Sequence, residues 1–112
     1  MVGRILMNTP VLIFEWDEAN RAHIARHDVT PKEAEEVISG RPLDIELQSD
    51  EDDCEEERLL QLGETAKGRI LHVVTTWRRG KVRVVSAWDA PKQDRLYYLA
   101  EMRRRHGATE DS

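Results

Sequence analysis

The sequence has one cysteine, Cys54, and only 5% aromatic residues. A single cysteine excludes an intrachain disulfide framework and any multi-cysteine zinc site. Cys54 also sits among acidic residues, which raise a thiol's pKa and make it a poor nucleophile. No apolar run approaches the roughly 20 residues of a membrane span. No basic lead-in, long apolar stretch and small-residue cleavage site occur together at the start, so a cytoplasmic protein without membrane contact is expected. Gly63 and Gly68 are too far apart for a phosphate loop, and no Lys-Ser/Thr pair follows them. Positive charge is not in surplus either. Lys plus Arg is 17 against 22 Asp plus Glu, a net charge of −5, which excludes a uniformly basic nucleic-acid module. What is present is enough for a fold: 39% apolar and 35% charged residues in 112. That length predicts one domain over 1–112, with an ordered core of about 11–105 and a disordered tail over 107–112.

The charge is unevenly placed. Residues 1–64 carry 17 acids and 6 bases, and residues 65–112 carry 5 acids and 11 bases. Such a split predicts a polyanion-facing surface in the second half, against the plainer reading of solvated faces of both signs.

Residues 11–16 (VLIFEW) read as a strand, and Asp17 as the N-cap of a helix over 18–27. Thr30-Pro31-Lys32-Glu33 has the form of a capping box with proline at the first helical position, and predicts a helix over 31–39 stopped by Gly40. Leu43, Ile45 and Leu47 alternate with polar residues as in a half-buried strand. The run Asp50–Glu57, seven acids in eight residues, reads as a solvated loop. Residues 59–62 resume as a strand, and 63–68 turn. Residues 69–77 and 82–88 form a hairpin through Arg78-Arg79-Gly80-Lys81. Both strands are apolar on both faces, as in the middle of a covered sheet. Asp89-Ala90-Pro91 opens a last helix, on which Leu96, Leu99, Ala100 and Arg103 share one face beside Tyr97. The order β-α-α-β-β-β-β-α predicts an α+β domain with a mostly antiparallel sheet. Trp16 and Trp77 are expected in the core.

His23 and His27 lie four apart on one helix face. The zincin pattern needs glutamate directly after the first histidine, and Ile24 stands there, so no metal site is expected. His27 is instead a candidate general acid or base, or a side chain that hydrogen-bonds the helix-end carbonyls. Lys67, Arg69, Arg78, Arg79, Lys81, Arg83, Lys92 and Arg95 form the basic set of the second half. Trp77, Trp88, Tyr97 and Tyr98 are interleaved with them, a pattern suited to gripping single-stranded RNA. Arg78, Arg79, Lys81 and Trp88 are the candidate RNA contacts. Arg69 and Arg83, on hairpin partners, can clamp phosphate bidentately. Arg103-Arg104-Arg105 suits the end of the last helix. Ser86, Thr75 and Thr76 sit in no nucleophile motif.

The block W-D-x-x-N-x-x-H-I-x-x-H-x-V-x-P-x-E, from Trp16 to Glu33, together with Gly68–Val74 and Val82–Ala90, resembles the BrnT family of bacterial toxins across roughly residues 11–100. The resemblance implies a RelE-like fold and a ribonuclease of a type II toxin–antitoxin system, neutralised by a BrnA-like antitoxin that also binds operator DNA. It implies His27 as acid or base, Arg69 and Arg83 as phosphate stabilisers, Tyr97 or Tyr98 near the family's C-terminal tyrosine, and His23 as a secondary candidate. No metal or other cofactor is expected, and a homodimer is left open. The chain departs from the family at Trp88, where many members carry arginine, and at Asp28, where glycine is common. Those departures and the acidic run keep a second reading, a catalytically weak or inactive protein-binding module of the same fold.

Overall fold

The computed structural model describes residues 11–49 and 57–110. In chain order these form β1 (Phe14–Glu15), α1 (Glu18–Ala25), α2 (Pro31–Ser39), β2 (Leu43–Ser49), β3 (Glu57–Glu64), β4 (Ile70–Arg78), β5 (Lys81–Asp89) and α3 (Lys92–Glu110). The strands make one sheet in the order β1-β5-β4-β3-β2. β2 to β5 are an antiparallel meander, and β1 joins β5 in parallel. The α+β architecture expected from the sequence is therefore present. Among the described residues, no helix is long and apolar enough to cross a membrane. The acidic run falls outside the described residues except for Glu57, which opens β3. α3 continues to Glu110, past the point at which the sequence predicts an end to order.

Local chemistry sets the helix ends. The Asp17 carboxylate accepts from the Asn20 backbone N–H at 3.0 Å, and the Asn20 side chain accepts from Asp17 N–H at 2.8 Å. Asn20 is 4% exposed and also donates to the carbonyls of Glu15 and Val84, so one amide ties α1 to β1 and β5. α1 ends earlier than residue 27, in a Schellman motif: Val29 N–H reaches Ile24 O, and Asp28 N–H reaches Ala25 O. Asp28 takes the left-handed conformation this needs, with φ 58. Glycine is the residue that adopts this φ most readily. α2 begins as expected, with the Thr30–Glu33 box and Pro31 in its first turn. Arg79 and Gly80, both at positive φ, form the two-residue turn between β4 and β5.

Two cores lie against the sheet. Ile24, Val29, Ala34 and Val37 of the first two helices and their loop pack with Leu71, Val73, Val84 and Ala87. Trp16 joins this core and donates through Nε1 to Glu35 at 2.7 Å. α2 sits so close to β3 that a Cβ on Gly63 would lie 2.8 Å from Val37 Cγ1. The second core, Leu43, Leu62, Ile70, Ala90 and Tyr98 with Met102, holds α3.

Several expectations are corrected. The 11–16 strand shrinks to two residues, because the chain must leave the sheet for Asp17 to cap α1, and Val11 and Ile13 are exposed. Ile45 is the extra residue of a bulge between Asp44 and Glu46, so the alternation over 43–47 breaks and Ile45 and Leu47 are exposed. β4 is buried from Ile70 to Thr76 as predicted, but β5 is fully covered only at Val82, Val84 and Ala87. Trp77, expected in the core, is 60% exposed beside the hairpin turn. On α3 the packed face is Tyr98 and Met102, and Leu96, Leu99 and Tyr97 face outward.

Candidate functional site

The register of the meander places side chains in rows across the sheet face opposite α1 and α2. One row is Leu43, Leu62, His72 and Trp88, the next Leu60, Val74 and Ser86, and the next Arg58, Thr76 and Arg83. A second bulge, at Val85, restores this alignment on β5 so that Arg83 stands in line with Thr76. α3 packs on the first of these rows, at Leu43 and Leu62.

At the Arg58–Arg83 end is a cleft of about 290 Å³. Its polar lining is Asn20 and His23 from α1 together with Arg58, Arg78 and Arg83. Three guanidinium groups and one imidazole thus converge from three strands and a helix. Arg83 is positioned by Asp17 and Glu15: Nη1 lies 2.9 Å from Asp17 and 3.2 Å from Glu15, and Nη2 lies 3.3 Å from Asp17. These bonds use three of its five donors. The Asp17 hydrogen bond, against the opposing effect of burial, raises the Arg83 pKa further, so the group is a permanent cation. In return Arg83, with the Asn20 N–H, holds the Asp17 carboxyl below its ordinary range. The His27 ring meets the His23 ring edge-on, with centroids 6.4 Å apart. The cleft can therefore bind a phosphoryl group and offers two imidazoles for proton transfer beside it.

Arg69 is elsewhere and otherwise employed. Its Nε and Nη2 clamp Asp89 at 2.8 and 3.0 Å. Nη1 donates to Asp28 O at 2.6 Å and to both oxygens of Glu33 at 3.1 Å, and Nη2 donates to His27 O at 3.3 Å. All five donors are engaged, which leaves none for a phosphate. Arg69 instead joins the α1 end, the α2 start and the β5 end. It also satisfies the helix-end carbonyls that His27 was a candidate to serve. The Asp89 hydrogen bond raises the Arg69 pKa, and Arg69 lowers that of Asp89. Burial pushes the Glu33 carboxyl up, but the Thr30 N–H and Arg69 outweigh it and hold the carboxyl low.

Tyr97 and Trp88 stand at the opposite end of the face. Trp88 stacks on His72 with centroids 5.4 Å apart, and Tyr97 lines a second cavity with His72. The two ends are four β4 residues apart, roughly 13 Å at 3.3 Å per residue. Seven of the predicted residues thus fall into three places: His23, Arg78 and Arg83 in the cleft with His27 next to it, Arg69 in a structural clamp, and Tyr97 at the second cavity with Trp88 stacked on its His72. Lys81 follows the hairpin turn, and Arg79 is the turn's first residue. Arg58 was missed, because the strand expected from residue 59 begins at Glu57. Extending that alternation by one residue would have put Arg58 in the face of Leu60 and Leu62. Among the described residues, no three His, Cys, Asp or Glu side chains converge as a metal cage requires.

Residues 16–94 match the family described as ribonuclease toxin, BrnT, of type II toxin–antitoxin system. No curated protein gives a significant match to the chain.

Proposed function

The chain belongs to the BrnT family of ribonuclease toxins of type II toxin–antitoxin systems, and from that premise we propose that it cuts RNA at the His23 cleft, without a metal ion, and is neutralised by a cognate antitoxin. The observation that carries this reading is the convergence of His23 with Arg58, Arg78 and Arg83 in one cleft, with His27 alongside. In this reading the twisted sheet is a RelE-like scaffold whose open face meets RNA in the cytoplasm.

The chemistry needs a base, an acid and a cation. His23 removes the 2′-hydroxyl proton. The freed oxygen attacks the adjacent phosphorus, and the bond to the 5′-oxygen breaks. His27 supplies the proton that this oxygen takes up. The products are a 2′,3′-cyclic phosphate and a 5′-hydroxyl end. The arginines stabilise the charge on the phosphoryl oxygens as it grows. Arg83 is held rigid by Asp17 and Glu15 and so needs no reorganisation at the moment of reaction.

Purified protein is expected to cut single-stranded RNA in the presence of a chelator, leaving cyclic phosphate ends. His23→Ala and Arg58→Ala are each expected to lower the rate at least tenfold, within the range of a lost acid–base or phosphate-binding group. The second reading, a binding module without catalysis, draws on Arg69 being consumed by the fold and Arg83 being partly neutralised by two carboxylates. Harmless overexpression together with intact RNA would favour it.

A further inference from the structure

The five N–H donors of Arg83 lie in one plane and point in fixed directions. Nη1 and Nη2 each send one hydrogen off the end of the guanidinium, as a fork. Nη1 sends its second hydrogen back toward the side-chain stem. Nε and Nη2 send their remaining hydrogens off one side, as a second fork. Asp17 takes the end fork, with Oδ2 2.9 Å from Nη1 and Oδ1 3.3 Å from Nη2. Glu15 takes the other Nη1 hydrogen at 3.2 Å. The Nε–Nη2 fork has no partner among the described residues. Arg83 lines the cleft with His23, so this side fork is what it has left for a ligand there. Its two parallel donors match two phosphate oxygens.

The Asp17 carboxylate has a second task. Oδ1 also accepts the Asn20 N–H at 3.0 Å, as the N-cap of α1, the helix that carries His23. Asn20 closes the frame: its side-chain amide donates to Glu15 O at 2.9 Å and to Val84 O, next to Arg83, at 3.2 Å. His23 from α1 and Arg83 from β5 therefore share one anchor. Capping alone needs no charge, since asparagine or serine caps a helix as well as aspartate. A carboxylate beside the cleft also repels a phosphate. What the charge adds is the grip on the arginine fork.

We infer that Asp17 is a positioning residue of the cleft: it holds Arg83 by the end fork, leaves the Nε–Nη2 fork for the scissile phosphate, and keeps Arg83 in one frame with His23. The inference rests on the ribonuclease reading only in calling that phosphate scissile.

Two measurements on the full chain test it. The first is the kinetics of single-stranded RNA cleavage by Asp17→Asn and Asp17→Ser, which keep the cap and lose the fork. Each is expected to lower kcat at least tenfold, the scale of a misplaced group, while KM stays level or falls because a carboxylate has left the cleft. Introduced into Arg83→Lys, Asp17→Asn is expected to change kcat less than twofold, because the group it acts through is gone. A residue that served the helix alone would lower kcat equally in both backgrounds. That result, or an unchanged kcat in both Asp17 variants, would overturn the inference. The second follows the arginine Nε–H signals of the ¹⁵N-labelled protein by NMR as a 2′-O-methyl uridine trinucleotide is added, a probe with no 2′-hydroxyl to attack its phosphates. The Arg83 Nε–H is expected to move, and the Arg69 Nε–H, bonded to Asp89, to stay. In Asp17→Asn the Arg83 response is expected to shrink at least twofold. An Arg83 signal that stays still, or moves equally in the two proteins, would also overturn it. The titration needs no cleavage. Movement of Arg83 in a protein that leaves RNA intact refutes the ribonuclease reading and not the role of Asp17, and cleavage that ignores Asp17 does the reverse.

Discussion

Two arginines of similar sequence context have opposite roles, and the difference lies in how many donors remain. Arg69 spends all five on Asp89, Glu33 and two carbonyls, whereas Arg83 spends three on Asp17 and Glu15. Arg69→Lys removes the fork, and no ammonium can serve Asp89, Glu33 and both carbonyls at once. It is expected to cost about 1–3 kcal/mol of stability, discounted for the exposure of Asp89, as read by urea denaturation. Arg58→Ala, at an exposed strand end, is expected to change stability by less than about 0.5 kcal/mol while it lowers cleavage. Asp28 gives a backbone test at the same scale. At φ 58, Asp28→Val is expected to cost about 1–2 kcal/mol, and Asp28→Gly to leave the melting temperature equal or higher. Of these facts, the sequence shows only that Arg69 and Arg83 are cations on adjacent strands. Which acids meet them depends on where β1, the α1–α2 turn and the end of β5 land, and no local pattern states that.

The elements are legible where their signals are local. Thr30-Pro31-Glu33 satisfies its own orphan donors within four residues, so α2 occupies 31–39 as the spacing predicts. Asp17 and Asn20 do the same for the start of α1. What escapes is what depends on a partner: the bulges at Ile45 and Val85, which exist only relative to β3 and β4, and the outward turn of Trp77 and Leu96. On α3 the exposed apolar residues outnumber those that pack, Tyr98 and Met102, so the apolar stripe does not mark the buried face. Leu96→Gln is therefore expected to leave stability unchanged, and Tyr98→Ala to cost about 3 kcal/mol in the same measurement. The α2–β3 contact has its own test. Gly63→Ala pushes a methyl against Val37, and about 1–3 kcal/mol of destabilisation is expected. Acid tests the clamp between elements. Glu33 and Asp89 have lowered pKa values in the fold, so the stability they add is complete above their ordinary carboxylate values. It is lost as pH falls through the lowered ones. Stability should therefore drop below about pH 4, and in Arg69→Lys the drop should be shallower.

Across the whole molecule, the net charge of −5 conceals a concentration of arginine at one end of a sheet face. Arg58, Arg78 and Arg83 line one cleft with His23, and on the reading proposed above that cleft takes phosphate. The excess of bases beyond residue 64 includes Arg78 and Arg83, whereas Arg58 comes from the acidic half. The account stands or falls on the His23 cleft. Its most direct measurement is the rate of endonucleolytic cleavage of a single-stranded RNA by the purified protein and by His23→Ala, with equal folding of the two verified by circular dichroism. The account predicts cleavage by the first and at least a tenfold loss in the second. Equal rates from the two proteins would contradict it.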